Sequence, residues 1–191
     1  MKKLLLILMI GVVFMSCAKE DKVAVISTKF GNMIVEFYDD VAPMHVESFK
    51  ILADEGYFNK TTFHRVIPGF VIQGGDPNSK DDDRMNDGTG GRAGKFFGIG
   101  REDDPASWNL PAEFNDKEHV KGTLSMARSS NPNSGSSQFF ICHAATPQLN
   151  NQYTVFGKVI KGMEFVDKIK RGAGPNGSVS DPDKIISFKS K

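Results

Sequence analysis

Phe63-His64-Arg65-Val66-Ile67-Pro68-Gly69-Phe70-Val71-Ile72-Gln73-Gly74-Gly75-Asp76 contains two short apolar runs joined by a turn dipeptide. Thr62–Ile67 and Phe70–Gln73 are rich in β-branched and aromatic residues, so both read as strands, with Pro68-Gly69 making the reversal. The first run carries Arg65 beside His64, and the second carries Gln73. An arginine in such a place, taken alone, is an ordinary surface ion-pair residue.

Outward from this stretch the strand signal recurs. Val23–Thr28 and Met33–Tyr38 flank Phe30-Gly31-Asn32, a hairpin pattern with Gly and Asn in its turn. Thr123–Ala127, Gln138–Cys142, Tyr153–Ile160 and Lys184–Lys189 read as further strands. Pro43 opens a helix in which Val46, Phe49, Leu52 and Ala53 recur at three- and four-residue spacing, and Gly56 stops it. Met163–Lys170 reads as a second helix, with Phe165, Val166 and Ile169 on one face. Many strands and only two helices predict a mainly β fold, an antiparallel sheet closed into a barrel by strand-like chain ends. Asp76–Asp104 is rich in Gly, Asp, Asn and Ser, and reads as a long surface excursion of functional or mobile character.

The N-terminus bears on location. Lys2 and Lys3 precede the apolar run Leu4–Phe14, then Ser16 and Cys17. That run is shorter than the roughly 20 residues a membrane helix needs, so it reads as a secretory signal over residues 1–16. Phe14-Met15-Ser16-Cys17 resembles a bacterial lipobox, which implies lipidation of Cys17, a tether over 17–21 and a single domain over 22–191. An ordinary signal with an incidental cysteine is the alternative. Lipidation predicts a bacterial cell-envelope protein anchored to a membrane, on a face the sequence leaves open.

The chain has 24 basic and 23 acidic residues; without Lys2 and Lys3 the balance is 22 to 23. Near-neutrality gives no electrostatic reason to expect a nucleic-acid partner. With Cys17 lipidated, Cys142 has no intramolecular partner, so the core must hold the fold without a disulfide.

Several chemistries fail on spacing. Asp81-Asp82-Asp83 lacks the alternating oxygens and terminal glutamate of an EF-hand, because Met85 and Gly94 occupy the needed positions. Gly88-Thr89-Gly90-Gly91-Arg92-Ala93-Gly94 lacks the Gly-Lys-Ser/Thr ending of a phosphate loop and reads instead as a loop of close backbone approach. Cys142 and His143 are strand neighbours pointing to opposite faces, so they do not form a thiol–imidazole pair. His45, His64, His119 and His143 show no zinc spacing, and Ser134-Gly135-Ser136-Ser137 is no nucleophile elbow. No metal or cofactor is called for, and any catalysis must work by binding and electrostatics.

The opening stretch resembles the signature of cyclophilins. So, in that family's order, do Gly88-Thr89-Gly90-Gly91, Leu124-Ser125-Met126-Ala127, Gly135-Ser136-Ser137-Gln138-Phe139-Phe140-Ile141 and Val155-Phe156-Gly157-Lys158-Val159. Pro111-Ala112-Glu113-Phe114 and the Pro-Asn-Ser-Gly-Ser-Ser-Gln run are most similar to bacterial members. The resemblance implies a closed eight-stranded antiparallel barrel capped by two α-helices. It also implies isomerisation of the bond preceding proline in polypeptide clients; nothing in the sequence indicates an oligomer, so a monomer is expected. By position it makes Arg65 the donor to the proline nitrogen and Gln73 its orienting partner. Phe70, Val71, Phe140 and Leu149 become the proline pocket, and Ala127, Arg128, Gln138 and Tyr153 its substrate-binding rim. Strand alternation independently places Gln138 and Phe140 on one face and Phe139 on the other, in the core.

Val71 stands where many members have methionine, and Arg128 replaces a common asparagine. Gln148 and Tyr153 fall where many eukaryotic members have tryptophan and histidine, which predicts weak cyclosporin binding. Two other readings remain at this point: a module that holds proline segments without turnover, and a tethered chaperone-like protein working through Asp76–Asp104. A pure binder has no need of a cationic donor at the reaction centre, which favours the enzyme.

Overall fold

The computed structural model describes residues 22–191; the signal, Cys17 and the tether lie outside the described residues. Eight strands form one sheet: β1 (Val23–Thr28), β2 (Gly31–Phe37), β3 (Arg65–Ile67), β4 (Val71–Gly74), β5 (Thr123–Met126), β6 (Phe139–Cys142), β7 (Val155–Lys161) and β8 (Ser187–Ser190). Helix α1 (Pro43–Asp54) follows β2, and α2 (Met163–Val166) follows β7. The strand order is β3-β4-β6-β5-β7-β2-β1-β8, and every pairing is antiparallel.

The chain ends do pair, Ala24 opposite Ser190 and Ile26 opposite Phe188, but this does not close a barrel. The sheet is open and curled, with β3 and β8 at its edges. The reason lies in residues 172–185, where Gly172, Gly174, Pro175, Gly177 and Pro182 prevent a regular ladder. This stretch bridges the seam by separate bonds. Val66 N–H donates to Gly177 O at 2.7 Å, Val179 N–H to His64 O at 3.0 Å, and Phe63 N–H to Asp183 O at 2.9 Å. Register shifts at Ile34/Val35 and Leu124/Ser125 add curl.

Local chemistry sets the element ends. Helix α1 begins at Pro43, which needs no N–H partner, and Ala42 offers no side-chain cap. Glu113 serves instead, accepting from Met44 N–H at 3.1 Å and His45 N–H at 2.9 Å. The helix ends in a Schellman motif: Tyr57 N–H donates to Leu52 O and Gly56 N–H to Ala53 O, with Gly56 at φ +68°. The first hairpin turns at Lys29-Phe30, earlier than expected, and strand pairing resumes at Gly31. A side chain at Gly31 would meet the Phe165 ring at 2.6 Å, so glycine is required by packing.

The second helix is one turn long rather than Met163–Lys170. Beyond Asp167 the bonds tighten to three-residue spacing, from Lys168 N–H to Phe165 O and Ile169 N–H to Val166 O. Lys170 N–H then leaves for the Asp183 carboxylate at 2.7 Å. Val166 and Ile169 are buried all the same.

The core lies on the inner face of the curl, under α1. Phe49 is its hub, with ring centroids 4.4 Å from Phe156, 5.2 Å from Phe58 and 5.8 Å from Phe139. A separate apolar cluster of Val71, Phe140 and Cys142 sits elsewhere, with Phe70, Ala127, Leu149 and Tyr153 packed on it.

Candidate active site

The register of four strands builds the site. Arg65 pairs with Gln73, Gln73 with Phe140 and Phe140 with Ser125, a row running across β3, β4, β6 and β5. Successive strand residues face opposite ways, so the next row, Val66, Ile72, Ile141 and Leu124, enters the main core. The same alternation sends Phe139 to the core and Phe140 to the outer cluster.

Nine of the ten expected substrate-contacting residues line one cavity of about 370 Å³: Arg65, Phe70, Val71, Gln73, Ala127, Arg128, Phe140, Leu149 and Tyr153. Gln138 is not in its wall. It lines an adjoining cavity of about 300 Å³ that shares Gln73, Ala127 and Arg128 with the first.

Arg65 is held on two sides. Its Nη1 donates to Gln73 Oε1 at 3.2 Å, and its Nε donates to the main-chain oxygen of Asn176 at 3.0 Å. Guanidinium has five N–H donors, so three remain for a ligand. Gln73 Nε2 donates to Gln138 Oε1 at 2.9 Å, and Gln138 Nε2 donates to Gly90 O at 2.7 Å. Arginine can only donate and a carbonyl can only accept, so the orientations of both amides follow from the ends of the chain. His64, next to Arg65, is buried, which pushes its imidazole below the usual range and keeps it neutral at pH 7. Arg65 therefore has no second cation beside it on its own strand.

The apolar wall is itself braced. Tyr153 meets Phe140 edge-on at 5.6 Å, and the Arg128 guanidinium lies 4.5 Å from the Tyr153 ring centroid. Arg128 is fixed there by donating through Nε and Nη2 to Gln152 O and through Nη1 to Ser129 O. Behind Phe140 the His119 ring stacks at 5.9 Å. The ring nitrogens of His119 lie 3.1 Å from Asn150 Oδ1 and 3.0 Å from Ser125 Oγ. Burial lowers the pKa of His119, with the Asn150 bond opposing, so an uncharged ring backs the pocket. Cys142 is fully buried; burial pushes its thiol up to about 11, so it is no nucleophile.

Four contributors escaped the sequence reading: Asn176, whose carbonyl holds Arg65; His119; Glu113; and Asp76. Asp76 is fully buried, and its carboxylate accepts from the N–H groups of Asn78, Gly88, Thr89 and Gly90. The glycine loop is one of close approach: a Cβ on Gly91 would lie 2.4 Å from Ser136 Oγ. Asp81 and Asp83 shape their own exposed turn by accepting from Asp83 N–H and Met85 N–H.

Residues 23–190 match the family model described as cyclophilin type peptidyl-prolyl cis-trans isomerase/CLD. A probable peptidyl-prolyl cis-trans isomerase of Brucella abortus is 45% identical over 172 residues, covering 90% of this chain and 83% of the relative. A peptidyl-prolyl cis-trans isomerase of Synechococcus elongatus is 37% identical over 154 residues, covering 76% of this chain and 91% of the relative. A crystal structure of a cyclophilin-type isomerase from Cryptosporidium parvum, determined in the presence of the dipeptide Ala-Pro, superposes with a TM-score of 0.74 at 30% identity. It covers 88% of this chain and 98% of that one.

Proposed function

The chain belongs to the cyclophilin-type peptidyl-prolyl cis-trans isomerases, and on that premise we propose that Arg65 speeds rotation about Xaa-Pro bonds by binding the twisted amide. The observation that carries this is a guanidinium gripped by Gln73 and Asn176 at the wall of a cavity walled by Val71 and Phe140.

Amide resonance opposes the rotation with a barrier of about 18–20 kcal/mol, and uncatalysed exchange takes tens to hundreds of seconds. Bringing it to milliseconds asks for about 10⁴–10⁵-fold, or about 5–7 kcal/mol. In the twisted state the proline nitrogen loses conjugation and gains a lone pair. A donor aimed there binds that state better than either planar isomer. A charged hydrogen bond supplies about 1.5–3 kcal/mol, so Arg65 alone does not provide the whole. The remainder falls to an apolar pocket that strips water from the bond and to fixed geometry that needs no rearrangement during the turn. The ring of proline sits against Val71, Phe140 and Leu149, and Gln138 and Arg128 at the rim hold the flanking chain.

The test is a proline-peptide isomerisation assay of the purified protein against Arg65→Ala. Acceleration that falls about 10- to 150-fold in the variant, the rate equivalent of one charged hydrogen bond, supports the mechanism. Acceleration equal in both sinks it, and binding of proline peptides without acceleration supports a holding module instead.

The clients are exported polypeptides, and Cys17 carries a lipid that anchors the enzyme at the bacterial cell envelope. The support is the order of charge, apolar run, small residue and cysteine over residues 2–17. Cys17→Ser should move the protein from the membrane to the soluble fraction of its host cell. Unchanged membrane association would dismiss the anchor.

A further inference from the structure

Asp76 is a charged group in an unusual setting. It is fully buried two residues beyond β4, and among the described residues no cation pairs with it. A buried carboxylate without a counter-ion is costly unless several donors surround it. Here four main-chain N–H groups do so. Asn78 lies at 2.8 Å, Thr89 at 3.1 Å and Gly90 at 3.2 Å, with Gly88 closer still. Three of the four belong to one strap, Gly88-Thr89-Gly90, that returns to Asp76 after an excursion of more than ten residues. The strap fits only without side chain at its far end, since a Cβ on Gly90 would lie 2.6 Å from Asp76 Oδ1.

The other side of that strap is the Gly90 carbonyl, where the amide chain from Arg65 ends. Asp76 thus holds the acceptor on which the chain of Arg65 Nη1, Gln73 and Gln138 ends, while the Asn176 carbonyl holds Arg65 Nε from the other side. We propose that Asp76 is a positioning residue for Arg65, acting through the Gly90 carbonyl and the two glutamines; this rests on the reading of Arg65 given above. An asparagine at position 76 keeps the volume but turns two acceptor lone pairs into donors facing main-chain N–H groups. The strap must shift, and the guanidinium with it, while Val71, Phe140 and Leu149 keep their places.

The experiment is a double-mutant cycle with Asp76→Asn, Arg65→Ala and both together in the purified protein. Turnover is measured by exchange on a proline peptide, affinity by titration of the same peptide, and folding by thermal melting. In the wild-type background Asp76→Asn is expected to lower turnover about tenfold, the scale of a sub-ångström misplacement. Peptide affinity, to which Gln138 contributes, should fall by less than turnover does, and in the Arg65→Ala background the loss of turnover should shrink to under about twofold. The Arg65 Nε–H resonance should shift in Asp76→Asn. An equal loss in both backgrounds, a loss confined to affinity, or no loss overturns the proposal. Should Asp76→Asn not fold, Gly90→Ala sets a Cβ against Asp76 Oδ1, displaces the same carbonyl and is read by the same measurements. Activity lost in Arg65→Ala but kept in Asp76→Asn removes this proposal alone, whereas activity kept in Arg65→Ala removes the arginine reading beneath it.

Discussion

Gln73→Glu is the most informative single change at this site, because it alters one atom's character and almost no volume. The wild-type chain runs donor to acceptor from Arg65 Nη1 to Gln73, from Gln73 to Gln138, and from Gln138 to Gly90 O, over 3.2, 2.9 and 2.7 Å. A carboxylate at 73 still accepts from Arg65 but has nothing to donate to Gln138. If Gln138 turns its amide round, its oxygen faces the Gly90 carbonyl instead. One acceptor–acceptor contact persists in either arrangement, costing about 1–3 kcal/mol. If all of it falls on the arrangement that presents Arg65, activity drops about 5- to 150-fold. A domain of this size should lose about 2–12 °C in Tm. Protonation supplies the missing donor, since a carboxylic acid at 73 accepts from Arg65 and donates to Gln138. Isolated glutamates titrate near about 4.3, so activity relative to wild type should recover as pH falls through the carboxylic range. The assay is peptide exchange between pH 3 and 8, with circular dichroism at each point to confirm folding. A ratio of variant to wild type that stays constant over that range refutes the directional chain.

Other expectations concern stability, reactivity and ligands. Burial pushes the Glu113 carboxyl upward, but its bonds from His45 and Met44 win and hold it below the usual carboxylate range. Its contribution is therefore present above the ordinary carboxylate pKa and lost as pH falls through the lowered one. Glu113→Ala should cost about 1–3 kcal/mol, as for leaving the Met44 and His45 N–H groups without an acceptor, and about 2–12 °C in Tm. Calorimetry should find the wild-type advantage shrinking in acid, and a pH-independent difference would count against it. In a Cys17→Ser background the buried Cys142 thiol, raised to about 11, should react with a thiol reagent at pH 8 only on unfolding; fast labelling of the native protein contradicts this. Arg128 lies over Tyr153 and Gln148 replaces an indole, so cyclosporin should inhibit poorly, and submicromolar inhibition of the purified protein rules this out.

The strands and α1 were legible because each has a short-range period, and Phe139 and Phe140 could be assigned to opposite faces from alternation alone. The pocket residues were legible only through motifs quoted in order, since Arg65 by itself is an ordinary cation. What escaped depends on long range. Glu113 caps a helix 69 residues away, and Asn176 holds Arg65 across 111. No local pattern carries such pairs. Asp76 was visible as the last letter of the signature, but its four N–H partners belong to loop backbone with no side-chain signature. Barrel closure failed for a related reason: strand-like ends were correctly paired, yet the seam is decided by glycines and prolines in residues 172–185. The second helix kept its apolar spacing, but Lys170 N–H found a carboxylate outside the helix.

That seam has a bearing on the company this protein keeps. An enzyme acting on incompletely folded chains meets segments with unpaired main-chain groups, which readily add to any free strand edge. The β3 edge is already occupied: Gly172 and Val179 donate to Val66 and His64, and Gly177 accepts from Val66. At the opposite margin β8 is only four residues long, carries Lys189 and is followed by Lys191, and Ser190 is bonded to Asp54 of α1. A closed barrel would remove its margins by joining them. This fold leaves them apart and disarms each one separately, so neither margin offers an unfolded chain a template on which to extend the sheet.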